Sequence, residues 1–488
     1  MLASPYRAVI LRFSNDAAHA AIERVMEKVP FSYAASIGAV PRTYANLSAD
    51  AQRWFSSSDV RGGLYPDVDP ASLLPLDEAL LERMRECEAI FMHMMSRLEQ
   101  TQFIPYDERK RAYMWYLRYW NDFLERHRIN LLLAGILPHE IPDYIIYALC
   151  KAKGIAVWVF HATTVRDTAT LFTDIEDQAP EVGERYTQLL AENISGKISL
   201  SPLFEEYFQK QIQPTGKVAI AFRRPTAFDR LLIRARAYGI TSIIAFLRWL
   251  PLLFSVAAWK GRMRKVLAWW KVRDLRRFYD AHAVLPDYLE SYIYVPLHFQ
   301  PECSTCPMAG AFVDQLMTLQ VLSKEAPAGV LLYVKEHPVQ RKKGFACRSI
   351  DFYRQLLAMS NVRLIEHAAD TFILREHCQA VATATGTAGF EAIFRGKPVL
   401  MFGHRFYQYA PGVFSIRTIE DCREAMQAIF TDGKIPEQHY VRLFLKSMEE
   451  KCIHASVTDW HQLQASNLSF EQHVGAISGA LLQKIAPY

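Results

Sequence analysis

Between residues 297 and 391, three short stretches each place polar side chains just after an apolar run. In Leu297-His298-Phe299-Gln300-Pro301-Glu302 the proline makes Gln300 extended and interrupts regular structure, so Glu302 is presented on a loop. A carboxylate there can serve as base or nucleophile in group transfer, or simply cap the helix that follows. In Lys335-Glu336-His337-Pro338 the proline ends a strand and directs His337 out of the sheet. A lysine and a histidine at a strand's carboxyl end can meet a phosphate, although such pairs are also common on surfaces. The third stretch is Thr385-Gly386-Thr387-Ala388-Gly389-Phe390-Glu391. Its small residues let backbone N–H groups approach a phosphate, and Glu391, one turn into a helix, can accept from ribose hydroxyls. Tight helix–strand packing would ask for the same glycines. The stretch is neither GxGxxG nor a Walker loop, so neither a dinucleotide nor ATP is indicated. At successive strand ends of one sheet, the three stretches are far more specific than any one of them.

The elements that must carry these loops alternate. Strands are expected at 292–296, 330–335, 362–365, 380–383 and 398–402, between helices near 309–325, 349–358, 370–377 and 388–395. That alternation predicts a doubly wound parallel sheet, which binds ligands beyond the carboxyl ends of its strands. The N-terminal part predicts a strand at 8–13, helices at 16–29, 76–98 and 107–128, and a strand–helix–strand unit over 130–134, 140–153 and 155–160. After that unit's first strand come Pro138, His139 and Glu140, and after its second come Arg166 and Asp167. His139 and, more weakly, Arg166 are candidates for contact with a second substrate across a cleft. Helices near 418–430, 436–450 and 468–485 complete the pattern.

The chain of 488 residues is long enough for two or three cores, and its 51% apolar and 22% charged residues are ordinary globular values. Charge is uneven. Between Phe222 and Arg277 fourteen Lys/Arg face Asp229 and Asp274, a balance of +12; since the whole carries +5, the remainder carries −7. Inside that segment, residues 240–259 are apolar and long enough to cross a bilayer, but Arg248 and Pro251 lie near the middle and basic residues flank both ends. A helical pair lying on an anionic membrane surface fits this pattern better than a span, and a buried interdomain helix is the alternative. Residues 1–13 lack the features of a signal peptide, so a reduced cytoplasmic setting, peripheral at the inner face of the membrane, is expected and the eight cysteines are expected as thiols. Cys303 and Cys306 form a lone CxxC without further ligands at metal-site spacing, so no metal is expected.

The runs YVPLHFQPECST, LLYVKEHP, VRLIEHAADTFIL and TATGTAGFEAIFRGKPVLMFG, in this order over about 290–410, resemble the bacterial capsule polysaccharide biosynthesis family. Its best understood members transfer 3-deoxy-manno-octulosonic acid (Kdo). The resemblance extends weakly to 136–160 and has no counterpart for 165–285. It implies an α/β, GT-B-like fold in which two Rossmann-like domains face a cleft, here with an inserted basic and apolar helical segment. The expected divisions are an acceptor domain over 1–220, the inserted segment over 221–288, a nucleotide-sugar domain over 289–440, and C-terminal helices over 441–488. The resemblance also implies that Gln300, Pro301 and Glu302 match the family's QPE element, that His337 and Pro338 match its HP element, and that Thr385, Gly386 and Thr387 form its phosphate-facing turn. Glu302 and His337 are then the catalytic candidates, and Gln300, Lys335, Pro338, Thr385, Gly386, Thr387 and Glu391 the donor-site candidates. The expected activity is metal-independent glycosyl transfer, with no cofactor beyond the nucleotide sugar. The donor implied is CMP-linked, with CMP-Kdo the leading form, and the acceptor a surface or capsular polysaccharide or glycolipid; nucleic acid is not an expected partner. For a CMP-linked sugar, the leaving phosphate would be met by His337, Lys335 and helix N–H groups, and an opposed carboxylate such as Glu302 would stabilise an oxocarbenium-like transition state. A nucleotide-sugar epimerase on the same scaffold and a non-catalytic part of a capsule assembly or export machine are the alternatives.

Overall fold

In the computed structural model, residues 5–65, 68–98, 104–192, 196, 198–213, 263, 270, 272–342, 347–457 and 466–486 are described. Residues 240–259 and most of the basic segment lie outside them. Two six-stranded sheets organise the chain. The first contains β1 (Tyr6–Leu11), β2 (Phe31–Gly38), β3 (Gln52–Ser56), β4 (Leu131–Ala134), β5 (Ala156–Ala162) and β6 (Ala169–Phe172), in the order β3-β2-β1-β4-β5-β6. All its pairings are parallel except β5 with β6. The second contains β7 (Tyr292–Pro296), β8 (Leu331–Lys335), β9 (Val362–Leu364), β10 (Ala380–Thr383), β11 (Val399–Met401) and β12 (Val413–Ser415). Its order is β12-β11-β10-β7-β8-β9, parallel throughout. Counted from its own first strand, each sheet runs 3-2-1-4-5-6, the doubly wound order, so each has a switch point between its first and fourth strands. In the second sheet that point lies between β7 and β10, whose following loops carry the QPE and TGT residues.

Strands buried on both faces read as unbroken apolar runs, as in Leu131–Ala134, every residue of which is buried. Helices on both faces then complete the layers through one apolar stripe each. Asp16–Lys28 buries Ala18, Ile22 and Val25, and its N-cap Asn15 accepts from the Ala18 amide. Met84 leaves helical geometry (φ −100°, ψ 11°), so the helix expected over 76–98 is two, Glu78–Arg83 and Arg85–Met95. The helix expected from 309 starts at Gln315, capped by Asp314 and preceded by a 3-10 turn.

Packing redraws the expected divisions. Helices Pro180–Ala191 and Pro202–Ile212 lie inside the expected 1–220 domain, yet Phe204 and Phe208 share a core with Tyr292, Phe390 and Phe394 of the second sheet. Residues 272–282, expected in the inserted segment, are helical and bury Leu275 and Tyr279 in that sheet's other core. The C-terminal helices are no separate unit. Gln438–Lys451 packs on Pro180–Ala191, Ile453 pairs with Ala169 beside β6, and Phe470–Ile485 packs on Asp16–Lys28, adding Val474, Ile477 and Leu481 to the first domain's core. Among the described residues no helix is long and apolar enough to cross a membrane.

Candidate functional site

A cleft of about 1180 Å³ lies between the two sheets, where the loops after β4 and β5 face those after β7, β8 and β10. Glu302, Lys335, His337, Pro338, Thr385, Gly386, Thr387 and Glu391 line one wall, and His139 and Arg166 the other. Doubly wound sheets open such crevices at their strands' carboxyl ends, which is why residues from five separate loops converge.

The QPE loop is pinned from several sides. The amides of Thr305 and Cys306 donate to the Glu302 carbonyl at 3.0 and 2.9 Å, and Thr385 Oγ1 donates to Ser304 O at 2.7 Å. Gln300 is the member that does not face the cleft. Its Nε2 donates to Val313 O at 2.6 Å, its Oε1 accepts from Arg348, and its backbone N–H donates to Gln340 Oε1 at 2.8 Å. With both ends of its amide engaged it holds the loop, and it borders a smaller cavity behind the cleft.

His337 receives the Val339 N–H at Nδ1, 3.2 Å away. That bond assigns the proton of the neutral ring to Nε2. Burial lowers the His337 pKa first, with Arg348, His367 and Lys335 acting in the same direction against Glu336. His337 therefore offers a neutral N–H donor near pH 7. Lys335 is buried with Nζ donating to Ala369 O at 2.7 Å; burial lowers its pKa and Asp370 opposes this.

The turn after β10 departs from expectation in detail. The Ala384 amide donates to His298 Nε2 at 3.1 Å and the Gly386 amide to Thr383 Oγ1 at 3.0 Å. These N–H groups are occupied by protein, and among the described residues Thr387 and Ala388 are the next whose amides have no protein acceptor. A Cβ on Gly386 would lie 2.8 Å from Thr383 Oγ1 and 3.2 Å from His298 Cε1, so internal packing already requires glycine there. Glu391 is paired with Arg375, leaving it less free for a ribose than the sequence suggested.

On the facing wall, His139 Nδ1 lies 2.8 Å from Leu137 O. A proton on Nδ1 leaves Nε2 as an acceptor, the form suited to taking a proton. Arg166 is exposed, 4.0 Å from Asp167. Asp167 instead ties down the returning chain, accepting from Ser456 Oγ and the Asn467 amide.

Sequence reasoning assigned no role to four residues that the fold brings here. His298 accepts from Ala384 at Nε2, which also lies 2.9 Å from Thr383 Oγ1; burial, with His337 and Arg348, lowers its pKa to about 4. Arg348, wholly buried, donates through Nε to Glu336 Oε2 at 2.8 Å and through Nη2 to His298 O at 3.1 Å, besides reaching Gln300. Tyr353 and the His337 amide fill the remaining acceptor positions of Glu336 at 2.6 and 2.9 Å. Arg348 thus fastens the QPE loop to the HP loop. Arg405 and Arg97 enter the cleft from opposite domains. His298 was visible in its motif, two residues past the end of β7 at Pro296; the three arginines carry no local signal.

Two Rossmann-like domains of the same strand order, facing a cleft lined by polar strand-end loops, define an α/β protein of GT-B-like architecture. Residues 272–431 match the family model described as "Capsule polysaccharide biosynthesis protein". No curated protein matches the chain. Solved structures resembling it include UDP-GlcNAc 2-epimerase from Methanocaldococcus jannaschii with UDP-GlcNAc and UDP (9% identity, 90% of this chain and 98% of that one, TM-score 0.27). Others are the beta Kdo 2,7 transferase KpsC of Thermosulfurimonas dismutans (12%, 72% and 94%, 0.27) and Anabaena Alr3699/HepE with UDP-glucose (9%, 94% and 98%, 0.29). At these scores the likenesses add nothing to the assignment.

Proposed function

We propose that the protein is a glycosyltransferase moving a sugar from a nucleotide donor, in the leading form Kdo from CMP-Kdo, to a surface or capsular polysaccharide or glycolipid acceptor. The observation that supports this reading is the convergence of Glu302, Lys335, His337 and the Thr385–Thr387 turn on one wall of a cleft, with His139 and Arg166 opposite. The leaving phosphate is met by the His337 Nε2–H, the Lys335 ammonium and the amides of Thr387 and Ala388. Donors fixed in place before reaction stabilise charge as it develops without reorganising. Glu302 acts at the anomeric carbon, as base or nucleophile, and its charge stabilises oxocarbenium character. The acceptor enters along the first domain, where His139 contacts it and, when Glu302 serves as nucleophile, takes its proton. The scheme routes no step through a metal and needs no cofactor beyond the donor. Residues 240–259 and their basic flanks hold the protein at the inner face of the cytoplasmic membrane, near a lipid-linked or growing acceptor.

Calorimetric titration with CMP-, UDP- and GDP-linked sugars, followed by product analysis with oligosaccharide and glycolipid acceptors, tests the reading. Transfer that requires both donor and acceptor is expected. Conversion of the nucleotide sugar to an isomer without any acceptor would replace the transferase by an epimerase.

A further inference from the structure

Three of the six Lys and Arg side chains lining the cleft have an acid beside them. Arg375 pairs with Glu391, Lys210 with Glu206, and Arg166 lies near Asp167. Arg405 does not: among the described residues it has no carboxylate partner, and the ionisable groups acting on it are Cys303 and Tyr407. Burial pushes the Cys303 thiol up to about 12 and the Tyr407 hydroxyl upward as well, so neither carries compensating charge near pH 7. The polar partner of Arg405 is His161, whose Nε2 lies 2.7 Å from Nη1. Gln178 decides the state of that ring. Its Nε2 is committed to Ile175 O and His404 O, so its Oε1, 3.0 Å from His161 Nδ1, must accept. Nδ1 then holds the proton and Nε2 receives the guanidinium, whose Nη1 also lies 3.1 Å from Nδ1.

Arg97 reaches the same place from the first domain. Its two terminal nitrogens donate to His139 O and Cys306 O, and its Nε is buried without a partner. Arg97 and Arg405 both favour the thiolate of Cys303, while Glu302 opposes. Among the described residues, the two guanidiniums outnumber the Glu302 carboxylate set against them beside Cys303. A buried charge is costly until an opposite one joins it, and a guanidinium fork matches a carboxylate in shape.

We infer that the cleft contains a second anion site, distinct from the leaving-phosphate site, in which Arg405 with Arg97 receives a carboxylate carried by a sugar. The site lies at the domain junction beside Glu302, where the transferred sugar and the acceptor meet, so the carboxylate belongs to one of these two sugars. The inference rests on the transferase reading only for the presence of a sugar in the cleft.

The test titrates CMP-saturated protein with Kdo and glucuronate and with their methyl esters. At least one acid is expected to bind roughly tenfold more tightly than its ester, and Arg405→Gln to abolish that preference while CMP affinity stays within about twofold. Arg405→Lys, which keeps the charge but not the fork, should recover part of it. Comparing CMP-Kdo with CMP on Arg405→Gln separates the sources: a selective loss for CMP-Kdo assigns the carboxylate to the donor, and an unchanged ratio assigns it to the acceptor. Acid and ester binding alike, no binding of either to the parent, or a preference that survives Arg405→Gln would overturn the inference. Failure to bind CMP or any other nucleotide would count against the transferase reading instead, and the acid–ester comparison on the parent does not depend on any variant folding.

Discussion

Replacing Glu302 by glutamine keeps size and hydrogen bonding and removes one charge at the proposed reaction centre. Donor affinity should stay near the parent's while turnover falls by ~10²–10⁴, the scale for loss of a positioned acid–base group. His337→Ala should impair both, because its contact exists in the ground state and strengthens as the phosphate gains charge. Calorimetry and single-turnover rates read the two effects separately; a Glu302→Gln protein that loses nucleotide while His337→Ala keeps it would reverse the roles. His298 gives a stability prediction of different origin. Its pKa is lowered from 6.5 to about 4 by burial, so the folded protein holds it neutral while the unfolded chain binds its proton between those values. Its contribution is present above about pH 6.5 and lost as pH falls toward 4, amounting to about 3 kcal/mol. His298→Gln keeps an acceptor that cannot protonate, so denaturant unfolding of the variant at pH 7 and pH 4.5 should show a shallower loss than the parent. Equal slopes would place the acid sensitivity elsewhere.

At the scale of elements, the QPE and HP loops are separate pieces of chain joined by the Arg348 guanidinium, beside the Gln300 N–H bond to Gln340 Oε1. Arg348→Met should cost about 3–5 kcal/mol, because the Glu336 carboxylate is left buried with half its partners. A paired Glu336→Gln/Arg348→Met change should recover much of that stability yet still weaken nucleotide binding, because the guanidinium that ties Gln300 and His298 O to Glu336 is gone. Thermal unfolding with CMP titration distinguishes the two, and full binding by the double variant would reduce Arg348 to a packing residue. This join also marks the limit of what the sequence reveals. The loops themselves were legible, because each polar cluster directly follows an apolar strand such as Ala380–Thr383. Their coupling was not, since Arg348 reaches His298 over 50 positions and Arg405 reaches His161 over 244. Strands β2 and β3 escaped for another reason. FSYAASIG and QRWFS mix small, aromatic and polar residues, and it is pairing inside the sheet that buries Ala34, Ala35 and Phe55. Gln300 was misread because a motif shows which residues share a loop but not which side each one takes.

For the molecule as a whole, the basic segment and the two-domain body make separable claims. If residues 240–259 and their flanks rest on lipid, the protein should bind anionic vesicles and leave them at high salt, and neutralising Arg262, Arg264 and Lys265 should weaken binding by ~1 kcal/mol per residue. Equal binding to neutral and anionic vesicles in a sedimentation assay would remove the electrostatic half of the proposal. The body imposes an order in time. Ile22 and Val25 of the first domain are covered partly by Val474, Ile477 and Leu481, which are translated some 450 residues later. While the ribosome makes the second sheet, the helix Asp16–Lys28 must wait with an apolar stripe open to solvent, at a synthesis rate of about 5–20 residues per second. The first domain to emerge is therefore among the last to close, and for tens of seconds on each ribosome the nascent chain presents a surface that a chaperone can hold or a neighbouring copy can mistake for its own.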